Sequence, residues 1–294
     1  MIGDVHGDIE RVFACLRTAE VINNLNEWIA QPPDTFVVQM GDQLDSKNRD
    51  LVATNWETVP DLVLLNLMSE LDDLAKPHGG RVLSLLGNHE IMNLFGDFSY
   101  VSPFSMMQTG VIPSARSDLI RTNFMSEILK RYIILKIGNF LFCHAGLLPE
   151  HLNLIGENID KLNQVFRDKM CGRPIDSTSE KILNDIVFST TGLLWTRKYA
   201  EMALSPAESV ALEACLSIVL RTTGCTTMFI GHNSLENTTI LANGGLIFTD
   251  ACFSRAYGKQ KFQYIDINNS VLNIVQLTES AKNDIREQQY DSMI

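Results

Sequence analysis

Nothing in the chain is long and apolar enough to cross a bilayer, since no uninterrupted apolar run approaches the roughly 18 residues a membrane helix needs. The first residues also lack the basic-then-apolar pattern of an export signal. A cytoplasmic location is therefore the expectation. Basic residues are in deficit, with 24 Lys and Arg against 35 Asp and Glu and a net charge of -11, which repels phosphate backbones and argues against general nucleic-acid binding. The six cysteines show no CxxC spacing, so neither a zinc ribbon nor a disulfide framework is indicated. Low-complexity tracts and internal repeats are absent as well. What is left is 294 residues, 45% hydrophobic and 20% charged, enough to bury a sizeable core. We read residues 1 to 278 as one domain and residues 279 to 294 as a polar tail.

Short apolar runs that end at once in glycine and polar residues recur along the chain: FVVQMGD (36 to 42), RVLSLLGNHE (81 to 90), FLFCHAG (140 to 146) and TMFIGHN (227 to 233). Each predicts a buried strand whose polar residues fall at its carboxyl end, where layered α/β folds bind ligands. Helical patterns lie between them, in DIERVFACLRTAEVI and DLVLLNLMSELDDLA. YIILKIGNFLFCHAG reads as two strands around an Ile-Gly-Asn turn, and LIFTD and KFQYIDINNSVLNIVQL add further strands. The class is α/β (α+β), with mixed sheets and helices outside them. Two stretches break the rhythm, about 97 to 128 and 151 to 190, and predict a cap or rim over the site.

The histidines are His6, His78, His89, His144, His151 and His232. Four of the six sit at strand-end motifs, leaving only His78 and His151 to an ordinary surface or core role. Asp4, Asp42 and Asn88 join them, each beside a glycine where the chain turns. Carboxylate, imidazole and amide oxygen together form a mixed donor set that suits Mn, Fe, Zn or Co better than Ca or Mg. With no cysteine among these residues, an open catalytic site is favoured over a closed structural one.

GDVHGD (3 to 8), GDQLD (41 to 45), GNHE (87 to 90), HAG (144 to 146) and GH (231 to 232) resemble, in order and placement, the motifs of the calcineurin-like metallophosphoesterases, particularly the phosphoprotein phosphatase branch. GNHEIMNLFGDFSYVS is most similar to the Shewanella-like phosphatases of that branch. The resemblance implies a four-layer α-β-β-α sandwich and a phosphatase with two metal ions (Mn, Fe or Zn). It implies that Asp4 and His6 bind the first ion, that Asp42 bridges, and that Asn88, His144 and His232 complete the second site. A metal-bridging hydroxide would attack phosphorus in line, with His89 as general acid oriented by Asp45. The implied substrate is a phosphorylated Ser, Thr or Tyr of a protein, or a small phosphorylated molecule. Related enzymes with the same motifs imply a rival activity, symmetrical hydrolysis of dinucleoside polyphosphates. A catalytically inactive phosphatase-like binding module is a third reading, and a phosphodiesterase acting on nucleic acid is disfavoured by the charge.

The chain departs from the branch at two points. An arginine that normally follows GDxxD and grips phosphate is replaced by Ser46-Lys47-Asn48-Arg49, so that Lys47 or Arg49 either takes over or belongs to a solvated basic turn. Arg197 and Arg255 are the other candidates for phosphate contact, with Arg197 preferred, and Tyr257 either lines the site or simply packs. The second departure is that only Met1 and Ile2 precede the first motif, where a full strand is expected. Either the chain as given starts late or that strand is short and its metal site looser, and we favour the first.

Overall fold

The structure, a computed structural model, describes residues 1–47, 56–156, 158–269 and 271–279. Arg49 and all of the tail except Glu279 lie outside the described residues. Every strand anticipated from the apolar runs is present: Phe36–Gln39 (β1), Arg81–Ser84 (β2), Ile134–Ile137 (β3), Phe140–Cys143 (β4), Thr227–Ile230 (β5), Leu246–Phe248 (β7), Lys261–Asn268 (β8) and Val271–Thr278 (β9), with Thr239–Leu241 (β6) in addition. The helices are Ile9–Thr18 (α1), Val63–Ala75 (α2), Asn88–Leu94 (α3), Pro103–Thr109 (α4), Pro113–Leu119 (α5), Met125–Lys130 (α6), Pro149–Ile155 (α7), Asp160–Met170 (α8), Ser177–Ile182 (α9), Lys198–Leu204 (α10) and Ser209–Thr223 (α11).

One mixed sheet has the order β3-β4-β5-β7-β6, with β4, β5 and β7 parallel and the two edges antiparallel. The other is built on the parallel pair β1 and β2. Ile2 bridges Gln39 in parallel, and Met1 exchanges both backbone hydrogen bonds with Ile265 of β8, at 2.6 and 3.0 Å. Residues 1 to 3 thereby join the β8–β9 hairpin to β1, and Asp4 leaves a backbone held on both flanks. A cavity of about 430 Å³ lined by Met1, Phe36, Phe140, Phe142 and Tyr264 opens at the amino ends of these strands, at the opposite end from the motifs.

Apolar packing separates the layers. Val38, Met40, Leu83, Leu85, Phe142, Phe229 and Ile247 fill the space between the sheets, where Phe142 stacks on Phe229 with centroids 5.1 Å apart. One outer face of the sandwich carries α1 and α2, whose buried positions include Ile9, Val12, Phe13, Leu16, Leu64, Met68 and Leu71, spaced three and four apart as a helix requires. On the other face, the apolar positions of α7 to α11 close the largest cluster over the five-stranded sheet. The result is a mixed α/β fold with helices outside two sheets. Parallel β1, β2, β4, β5 and β7 all deliver their carboxyl ends to one rim, and the sandwich core holds that rim rigid. Among the described residues no single helix is long and apolar enough to cross a membrane.

Candidate active site

The five motifs meet at that rim. Two turns are forced together first: Gly41 has φ +94, and a Cβ on it would lie 2.6 Å from Gly87 N, so only glycine lets GDQLD and GNHE touch. Glu90 fastens the contact, its buried carboxylate accepting the backbone N–H of Asp42, Gln43, Leu44 and Gly87 at 2.7 to 3.1 Å. Burial, then the charge of Asp42, raises its pKa. Glu90 lies within a motif, yet sequence reasoning had given it no task.

Asp42 stands at the centre. Its Oδ1 accepts the His89 backbone N–H at 3.0 Å, while its Oδ2 lies 3.4 Å from His144 Nε2, 3.8 Å from His89 Nε2 and 3.9 Å from His6 Nε2. His6, Asp42 and His89 offer ligand atoms within 4.8 Å of one another, and so do Asp42, His144 and His232. Asp42 thus belongs to both clusters, and His89 rather than Asp4 completes the first. Asn88 joins the second, with its Oδ1 3.1 Å from His144 Nε2. Asp4 falls outside both three-residue clusters, but its Oδ2 accepts the His232 backbone N–H at 2.8 Å, and its buried Oδ1 has no hydrogen-bond partner among the described residues.

Each imidazole has one nitrogen fixed by the protein. His6 Nδ1 is 3.0 Å from Leu44 O, His144 Nδ1 is 2.8 Å from Met40 O, and His232 Nε2 is 3.0 Å from Trp195 O. A carbonyl can only accept, so each of these nitrogens carries the hydrogen and the other ring nitrogen is left as a possible ligand. Imidazoles oriented in this way, a shared carboxylate and an orphaned buried carboxylate oxygen fit a pair of metal ions. His6, Asp42, Asp45 and His232 all have φ between +43 and +68. Such left-handed backbone costs about 1–3 kcal/mol per residue and gathers where function demands it.

Electrostatics without an ion show the same demand. Burial would raise Asp42, but His144 and His89 hold its pKa well below the usual carboxylate range. Burial would lower His144, but Asp42 and Asp4 push it up to about 10. Burial and then the charge of Asp250 raise Asp4 well above its ordinary value. His232 is lowered to about 3 by burial and by His144. These directions describe too much charge in too little water, which cations between the groups would relieve.

Beside the clusters, His89 Nδ1 lies 2.8 Å from Asp45 Oδ2, and Tyr100 packs edge-on against the ring at 5.1 Å. Among the basic candidates, Arg255 is engaged elsewhere: Asp8 accepts from its backbone N, Nε and Nη2, Glu10 accepts from Nη1, and its guanidinium lies 5.0 Å over Trp56. Arg197 is exposed, follows Trp195 closely in sequence, and donates to Asn233 Oδ1 at 3.3 Å beside His232. Lys47 is exposed, its backbone N–H bonded to Tyr100 O. Tyr257 sits 5.9 Å from His6 and is 2.8 Å, hydroxyl to hydroxyl, from Ser234. His78 is exposed, and His151 is buried as a partner for the Leu148 N–H and the Thr191 carbonyl.

The sequence model of the calcineurin-like phosphoesterases matches residues 1–233. The chain belongs to that family. Shewanella-like protein phosphatase 2 of Arabidopsis thaliana is 24% identical over 275 residues, covering 79% of this chain and 64% of the relative. Shewanella-like protein phosphatase 1 of Plasmodium berghei is 31% identical over 150 residues, half of this chain and 38% of the relative. The chain therefore spans less than two thirds of the length of both. Among solved structures, the cold-active protein-tyrosine phosphatase of a psychrophilic Shewanella has a TM-score of 0.73 at 23% identity, with 95% of this chain and 79% of that one covered. A serine/threonine phosphatase of Saccharomyces cerevisiae scores 0.53 at 14% identity, with 97% and 81% covered. These likenesses show that the mixed-sheet sandwich of this phosphoesterase is the fold of protein phosphatases.

One consequence can be tested directly. A Cβ at Gly231 would overlap Asp4 Oδ1, so Gly231→Ala should displace the carboxylate while leaving both sheets intact. We expect metal affinity to drop about 10–100-fold, as when other supports of a ligand are removed, with an unchanged far-UV circular dichroism spectrum. Unchanged affinity would mean that Asp4 is not a ligand.

Proposed function

We propose that this phosphoesterase is a dimetal phosphomonoesterase acting on phosphorylated protein side chains. The observation that carries the reading is the sharing of Asp42 between two donor clusters, with a second histidine-aspartate pair, His89 and Asp45, against the same carboxylate. Asp4, His6 and Asp42 would hold one ion and Asp42, Asn88, His144 and His232 the other. Bound there, two divalent ions supply Lewis acidity toward the phosphoryl oxygens and a water acidified to near neutrality.

The chain's own residues do the rest. His89 presents Nε2 to the rim, placed to give a proton to the departing alkoxide, while Asp45 accepts the Nδ1 hydrogen and holds the ring in that orientation; such general-acid assistance is worth about 10²–10⁴-fold. Among the described candidates, Arg197 lies beside His232 and is placed to meet the anionic substrate, whereas Arg255 pairs with Asp8 and Glu10. The named activities of the structural neighbours, tyrosine phosphatase in one case and serine/threonine phosphatase in the other, support a protein substrate without choosing between side chains.

The test is turnover of a phosphopeptide panel and of diadenosine tetraphosphate, with Mn and with chelator. We expect Mn-dependent phosphate release from phosphopeptides that Asn88→Ala abolishes. Faster cleavage of the dinucleotide would move the activity to nucleotides, and Mn binding with no turnover of either would make the protein a binding module.

A further inference from the structure

The proposed chemistry gives no task to Arg116, a fully buried cation (0% exposed) on α5 in the stretch from 97 to 128. Its Nη2 makes a bidentate pair with Asp61 at 3.0 and 3.0 Å, and its Nε donates to Asn93 Oδ1 at 3.0 Å. Both partners lead to the same residue. Asn93 Nδ2 donates to the two carboxylate oxygens of Asp45 at 2.9 and 3.0 Å, and Asp61 Oδ2 accepts the Asp45 backbone N–H at 3.1 Å.

We infer that Arg116 is a positioning residue for proton delivery, setting the geometry of the Asp45–His89 pair through Asn93 and Asp61. This rests on the reading of His89 as general acid. A carboxamide can turn over and present either end, and its oxygen facing Asp45 would set acceptor against acceptor. Arginine only donates, so Arg116 Nε holds Asn93 Oδ1 on its own side and leaves the Nδ2 hydrogens to Asp45 and to the His89 backbone O, 3.0 Å away. The carboxylate accepts from Asn93 Nδ2 and, at 2.8 Å, from His89 Nδ1, an arrangement that turns Nε2 toward the rim. Through Asp61 the same guanidinium holds the Asp45 backbone at its strained φ of 68.

The sequence pattern predicts a cap or rim over about 97 to 128. The inference makes these residues part of the machinery as well, with Tyr100 on the His89 ring and Ser105 and Thr109 accepting from Arg116 Nη1 at 3.3 and 2.9 Å.

The test compares kcat for phenyl phosphate, whose leaving group needs a proton, with kcat for 2,4-dinitrophenyl phosphate, whose leaving group does not. Asn93→Asp keeps shape and the acceptor for Arg116 but turns an acceptor toward Asp45, and Arg116→Lys keeps charge but loses the Nε donor. We expect each to lower the ratio of phenyl to dinitrophenyl turnover by about 10–100-fold, the usual cost of losing a support behind an oriented imidazole, and His89→Asn to lower it at least as far. If His89→Asn lowers the ratio and the other two, folded by circular dichroism, do not, Arg116 merely anchors the insertion and the inference is wrong. If His89→Asn leaves the ratio unchanged, the general-acid reading itself fails and takes this inference with it.

Discussion

Asp42→Asn should all but abolish turnover, lowering kcat/KM by about a thousandfold or more, because one carboxylate serves both proposed ions and its charge is what lets them share a nucleophile. The substitution is nearly isosteric, and the carboxamide oxygen can still accept the His89 backbone N–H now held by Oδ1. Folding should therefore survive, and the loss can be read as chemistry. What disappears is the negative charge 3.4 to 3.9 Å from the Nε2 atoms of His144, His89 and His6. His89→Asn removes only the proton donor and should cost about 10²–10⁴-fold on esters with poor leaving groups, and much less on activated ones. The two variants are then separated by metal content as well as rate: inductively coupled plasma analysis should find Asp42→Asn depleted of Mn and His89→Asn close to fully loaded. Equal, small losses in both would contradict the dimetal reading.

The residues that make this prediction possible were legible in the sequence because each lies within two or three positions of a glycine at the end of an apolar run. Backbone geometry at those glycines is local, so a motif conveys it. The supports were not legible, because they depend on partners distant in sequence. Arg116 reaches Asp61 across 55 positions and Asn93 across 23, from a polar helix with no pattern to mark it. The surroundings of Arg255 were hidden for the same reason. Arg255 follows a strand end, as a phosphate-binding arginine would, but Asp8, 247 positions earlier, already takes its guanidinium. The layering was legible from periodicity, whereas the attachment of residues 1 to 3 to both β1 and β8 depends on a pairing with Ile265 that no local pattern announces. Glu90 is the intermediate case: its position in GNHE was plain, but its four backbone partners require the close approach of Gly41 and Gly87 to be known first.

Stripping the site with a chelator should leave a protein whose stability falls as pH rises above about 6.5. His144 governs the sign. Its pKa is pushed up to about 10 in the fold from about 6.5 unfolded, so its contribution is complete below 6.5 and is lost as pH rises toward 10, a change of a few kcal/mol by linkage. The depression of Asp42 is the same attraction seen from its partner and is counted once. Raised Asp4 adds in the same direction, since burial makes its charged form costly. His232, lowered to about 3, works oppositely: its neutral form suits the fold, and it costs stability only as pH falls from 6.5 toward 3. A ligating imidazole must be neutral, so loading the site expels the His144 proton, and affinity should rise about tenfold per pH unit while that proton is bound in the free protein. Thermal melts of chelated and Mn-loaded protein at pH 6 and pH 9 check this together. The gap in Tm should widen at the higher pH, and calorimetry in buffers of different ionisation enthalpy should count close to one proton released per site filled. A gap independent of pH, with no proton released, would mean that His144 is not a ligand.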